Sequence, residues 1–238
     1  MTSTSATTAP PADSRGRLKS VVQDNGLLLA CLGLFTVFFI GMIASGAANY
    51  NQQQQEHGAT EQVSVWGYLR TGDFVEATFE NWESEFLQMG MYVVLTAFLF
   101  QKGSSESKPI GKRSAQDADP RRAEIKPGTP WPVRKGGWVL AVYEHSLAIA
   151  FFVLFFASWA LHAMGGVAAF NEEQAQHGEA AISLLRYVTT SQFWFESMQN
   201  WQSEFIAVAA IVGLSIFLRQ RGSPESKPVA EPHRGTSA

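Results

Sequence analysis

The chain has 238 residues, 46% of them hydrophobic and only 16% charged, with a net charge of -3. One cysteine excludes an intrachain disulfide framework and any multi-cysteine zinc or iron–sulfur site. The acidic balance excludes a generally basic nucleic-acid binder.

A mean hydropathy of -0.04 averages two unlike populations, long uncharged runs and polar stretches that hold almost every charge. In chain order, residues 1–22 are rich in Ser, Thr and Pro and read as a disordered cytoplasmic N-terminus. Residues 27–48 carry no charge. At ~1.5 Å per residue, about 20 such residues cross a ~30 Å hydrocarbon core, so this run is expected to span. Arg15, Arg17 and Lys19 before it and small residues after it also fit a cleaved signal. The run is longer than a usual signal core and has a mid-chain counterpart, so it reads as a retained helix. Cys31 within it is expected to be a buried, inert thiol, and Asp24 to cap the helix. A polar outer segment follows, then a short apolar run at 86–100. Residues 110–137 form a linker without apolar period, expected to be disordered from 110 to 133 and cytoplasmic. Glu144 is expected to cap a second charge-free run at 147–169. A second polar segment, a short run at 205–218 and a disordered tail at 229–238 complete the chain.

Residues 24–109 and 144–228 read as two copies of one unit. Asn51 and His57-Gly58 match Asn171 and His177-Gly178, and Asn81-Trp82 and Ser84-Glu85-Phe86 match Asn200-Trp201 and Ser203-Glu204-Phe205. The copies close on GSSESKP and GSPESKP, read as polar stops left by duplication. The expected fold is an all-α membrane protein of four transmembrane helices, about 27–48, 82–101, 147–169 and 201–219. These are built from two parallel repeats of a two-helix unit, at 23–109 and 138–228, related by an axis along the membrane normal. Lys and Arg number three before the first helix, nine between Lys102 and Lys135 and four from Arg219 onward, against one in each inter-helix loop. The positive-inside rule then puts both termini in the cytoplasm of a multi-pass plasma-membrane protein.

The strings DNGLLL, YNQQQQEHG and FENWESEFLQM resemble an uncharacterised bacterial family of multi-pass membrane proteins, catalogued as a domain of unknown function. The resemblance covers residues 23–109 closely and 143–228 more loosely. It implies a bacterial membrane protein and assigns no activity or catalytic residue. The second copy departs at Gln202, Ala207 and Gln176, where the first has Glu83, Gln88 and Glu56.

The short runs must draw in residues from their outer ends to span. Asp73 and Glu76 have capping-box spacing, which predicts a helix from near Phe74 to about Gln101. Asn81 and Glu85 then share a face with Trp82 beside them at the interface, and Asn200, Trp201 and Glu204 repeat this. Symmetry brings Glu85 towards Glu204, with His57 and His177 within reach of the same mouth. That set suits a divalent cation, by carboxylate and imidazole chemistry. The same motif also reads as a structural interface in which Trp anchors and Glu pairs with Arg70, Arg186 or backbone N–H groups, and this reading is preferred. His162 reads as a satisfied or snorkelling histidine. Gly41, Gly46, Gly165 and Gly166 read as sites of close helix packing. No catalytic motif is present, and no cofactor is expected. The functional expectation is a non-enzymatic membrane protein whose partners are the bilayer, a second copy or another membrane protein, and not nucleic acid. The alternative is a small ion or metal transporter or channel with its site at Glu85, Glu204, His57 and His177.

Overall fold

The computed structural model describes residues 22–235. The N-terminal segment read as disordered therefore lies outside the described residues except for Val22. Every regular element among the described residues is helical, and they fall into two compact units, Met1–Leu69 and Arg70–Ala238.

The first unit holds α1 (Gly26–Glu56) and the single turn α2 (Val65–Tyr68). α1 is apolar on every side through its first two thirds, the pattern of a helix with no aqueous face. Leu27, Phe38 and Ile40 all stand exposed on it. Cys31 is exposed as well, which corrects the expectation of a buried thiol: the helix surrounding it has no packed face at that point. Asn25, not Asp24, occupies the N-cap, without a side-chain capping bond. Thirty-one residues make roughly 46 Å of helix, so the Gln-rich end projects about 16 Å past a ~30 Å hydrocarbon core.

The stop at His57-Gly58 is a Schellman turn. Gly58, at φ 91°, donates to the Gln55 carbonyl, and Ala59 donates to Gln54. Asn51 then folds the chain back, its amide bonding both the carbonyl and the N–H of Val63 at 2.9 and 2.7 Å. Ser64 caps α2, and the Tyr68 ring lies directly on Gly46, where any Cβ would collide with it.

The second unit contains α3 (Gly72–Phe98), α4 (Trp131–Lys135), α5 (Gly137–Glu144), α6 (Ser146–Gln176), α7 (Leu184–Tyr187) and α8 (Ser191–Leu214). The end of α6 repeats the same devices. Gly178 and Glu179 donate to Ala175 and Gln174, Asn171 brackets Ile182, Ser183 caps α7, and Tyr187 lies on Gly166. α3 starts earlier than the capping-box spacing implies. Its cap is Thr71, whose Oγ1 accepts from Phe74 N–H at 3.2 Å, because the Glu76 carboxylate is used elsewhere. It ends at Phe98, three residues short of Gln101. Thr190 caps α8 as Thr71 caps α3. Glu144 closes α5 and pairs with Arg121 at 3.0 Å, leaving His145 at the N-cap of α6.

α3 runs antiparallel to α6. A Cβ on Gly72 would fall 2.5 Å from the Ala169 nitrogen, and one on Gly90 would fall 3.3 Å from Phe151 Cβ. Gly165 is a backbone-to-backbone seat against Val75 and Glu76, so close helix packing is real there, whereas Gly41 has open space around it. α8 is parallel to α3: Glu80, Glu83 and Gln88 meet Asn200, Trp201 and Glu204 in ascending order. Tyr187 and Phe193 are fully enclosed, with Ala163, Trp159 and Phe170 around them.

Two helices, Gly26–Glu56 and Ser146–Gln176, are long and apolar enough to cross a membrane. α3 and α8 have comparable length, at 27 and 24 residues, but their first halves carry too many polar residues to meet that criterion. The linker holds two 3-10 turns, Ala115–Asp117 and Pro120–Arg122, with Lys108 pairing Asp117 at 2.6 Å. The tail turns back on Lys227, whose buried ammonium donates to the carbonyls of Pro232, His233 and Gly235.

Candidate functional site

Glu76, Glu80 and Glu83 lie four and three apart on α3, hence on one face. The antiparallel register turns that face toward α6 and α8, and a buried carboxylate–histidine cluster results. Glu83 has no solvent exposure at all. Its Oε2 meets Nδ1 of His162, also fully enclosed, at 2.9 Å. Its Oε1 accepts from Ser197 Oγ at 3.0 Å and from Trp201 Nε1 at 3.1 Å. A buried carboxylate is tolerable only when its lone pairs are filled, and three donors from two helices fill these.

The opposite edge of the imidazole faces two further acids. His162 Nε2 lies 3.5 Å from Glu196 Oε2 and has no hydrogen-bond partner. The Tyr187 hydroxyl lies 3.1 Å from both Glu76 Oε1 and Glu196 Oε2. A phenol has one proton, so it donates fully to only one of these oxygens. Glu80 stands at the margin and accepts from Asn200 Nδ2. Chemically, the arrangement is a fixed imidazole with one nitrogen anchored, the other open, and two carboxylates converging on the open side.

The residues singled out in the sequence divide between this cluster and its surroundings. Trp201 and Asn200 belong to it as donors to Glu83 and Glu80. Asn81 and Trp82, in the matching string, do not: Asn81 is exposed and bonds the Ala77 carbonyl of its own helix, and Trp82 packs edge-on against Phe79 and Phe86. Glu85 is exposed and is the charged neighbour of Glu204, whose backbone carbonyl accepts from Gln88. His57 and His177 are exposed helix caps, with Nδ1 bonded to the carbonyls of Gln53 and Glu173 in their own helices. Each ring thereby adds a second bond to a carbonyl that already accepts from the backbone N–H of the same histidine. His162 is partnered on one nitrogen only.

The reading from sequence missed Glu76, Glu80, Glu83, Glu196 and Tyr187 as members of one site. A signal existed for the first three, the i, i+4, i+7 spacing of acids on a helix. Nothing in the sequence placed Glu196 and Tyr187 opposite them.

The family model described as "Domain of unknown function (DUF6766)" matches residues 18–238. No curated protein and no solved structure matches the chain.

Proposed function

We propose, from the premise that the chain belongs to the DUF6766 family, that it is a non-enzymatic multi-pass protein of the bacterial plasma membrane. It has four spans in two parallel repeats and acts through helix packing with a second copy or a membrane-protein partner. The observation that carries this reading is helix direction: α3 and α8 run parallel, and α6 runs antiparallel to both. Two copies of a two-helix unit inserted with one orientation require that alternation. The matched Schellman turns, Asn brackets and Tyr-on-Gly contacts support the duplication. Glu76, Glu80 and Glu83 of α3 turn toward protein rather than outward, which is how ionisable groups are accommodated at membrane depth. The excess of Lys and Arg in the linker and both termini supports a cytoplasmic location for all three.

The test is topology mapping in a Cys31→Ser background, with single cysteines at Gln54, Gln174, Lys112 and Arg221. Labelling of Gln54 and Gln174 from outside and of Lys112 and Arg221 only after permeabilisation is the expected result. Cytoplasmic labelling at Gln54 overturns it.

A second reading, a small cation transporter at the outer ends of the short helices, draws on the approach of Glu85 to Glu204. It predicts that Glu85→Gln and Glu204→Gln abolish ion flux in liposomes with folded yield unchanged. Lower yield instead assigns these residues a structural role.

A further inference from the structure

We infer that Glu76, His162 and Glu196 form a binding site for one divalent first-row transition-metal ion, with Zn2+ the best match to the donor set. This goes beyond the topology proposed above and is independent of it, since every group involved lies within one compact unit.

The donor atoms of the three side chains all fall within 4.8 Å of one another. With metal–ligand distances of ~2.0–2.2 Å, tetrahedral ligands stand about 3.4 Å from each other. The 3.5 Å between His162 Nε2 and Glu196 Oε2 already has that spacing. Imidazole with two carboxylates is a donor set that suits Zn2+, and three protein ligands leave a fourth position for water.

Three further observations point the same way. First, His162 Nε2 is enclosed and has no hydrogen-bond partner. Nδ1 faces Glu83 at 2.9 Å, so Nε2 is the nitrogen turned toward the carboxylates of Glu76 and Glu196. A positive charge at this point, on the imidazole or on a bound cation, offsets the two converging carboxylates. Second, Glu83 stands where the carboxylate of a carboxylate–histidine–metal triad stands, fixing the tautomer and the ring angle. Its own orientation is fixed by Ser197 and Trp201, so it is a positioning residue with no contact to the ion. Third, Glu76 Oε1 and Glu196 Oε2 both stand 3.1 Å from the Tyr187 hydroxyl, which holds the two carboxylates around one point. The Glu196 side chain retains one-fifth of its exposure, which provides an entry path from the surface.

The test uses the full chain in detergent, stripped with a chelator, loaded with Zn2+, desalted and assayed for metal per chain. Retention of about one equivalent by the wild type is expected. Glu76→Gln and Glu196→Gln, which keep shape and remove charge, should each lose it while circular dichroism shows an unchanged helical content. Glu83→Gln should keep the one-to-one ratio with affinity lowered about 10–100-fold, the signature of a residue acting through the histidine. Substitution by Co2+ should give visible absorption bands of a tetrahedral site in the wild type, so the result does not depend on any variant folding. The His57→Ala/His177→Ala double variant should retain the ion. A wild type that retains no Zn2+ and shows no Co2+ bands overturns the inference, as does retention unchanged in both Gln variants or loss confined to the double histidine variant.

Discussion

After α1, Tyr68 lies on Gly46 and its ring meets Tyr50 at 5.8 Å; after α6, Tyr187 lies on Gly166, but its hydroxyl reaches Glu76 and Glu196. The two junctions share a Schellman stop, an Asn bracket, a Ser-capped turn and a tyrosine seated on glycine. They differ in what surrounds the tyrosine. At the offsets that align the matching strings, Met42 stands for His162, Ala77 for Glu196 and Gln202 for Glu83. The shared parts are contacts between residues within about two dozen positions of one another in the chain. The cluster needs side chains from α3, α6 and α8 at once, so it exists where those three helices meet and nowhere else among the described residues.

Substitutions at matched positions can break this comparison or sharpen it. Glu83→Ala strips an enclosed imidazole, an indole and a hydroxyl of their common partner, and should cost about 3–5 kcal/mol of stability. Gln202→Ala, at the equivalent exposed position, should stay within about 0.5 kcal/mol. Thermal unfolding in detergent reads both, and equal losses would mean that the cluster is no more than a surface feature. Next in size is Gly165→Ala, whose Cβ would press on the Val75–Glu76 backbone; overpacking of that kind costs about 1–3 kcal/mol. Gly41→Ala, with open space around it, should be neutral or stabilise its helix by up to about 1 kcal/mol. Asn51→Ala and Asn171→Ala should each lose about 1–2 kcal/mol through the unmet N–H and carbonyl of the bracketed residue. Near-equal values are expected, because the two brackets are geometrically alike. Thr71→Ala and Thr190→Ala should each lose about 1 kcal/mol for a missing N-cap. A marked inequality within either of these last pairs would show that the junctions do not behave as equivalent local structures.

Much of the fold was legible because it is written at short range. The charge-free runs mark α1 and α6, and the matched strings mark the two junctions. The meaning of those strings was less accessible. His-Gly reads equally as a ligand and as a helix stop, and only the φ of 91° at Gly58 and the carbonyl at Nδ1 decide for the stop. Asp73 and Glu76 have capping-box spacing, but Thr71 lies closer to the first free N–H, and the Glu76 carboxylate has a stronger claim from Tyr187. In the sequence Glu83 stands out only as a position where the matching strings differ, with Gln202 opposite it. Its burial depends on the Gly165 seat that brings α3 onto α6, a contact between residues about ninety positions distant in the chain.

The two closing SESKP turns touch each other. Ser105 Oγ donates to the Glu225 carbonyl at 2.9 Å, and Ser104 meets Ser215 at 2.9 Å. These contacts staple the chain at two points about 120 residues distant in sequence, making a closed ring of the segment between them. The ring is fastened without help from the linker, which becomes a tether rather than a strut. A chain severed between residues 112 and 128 and expressed as two fragments would thus still carry, on the fragments themselves, the contacts needed to find one another.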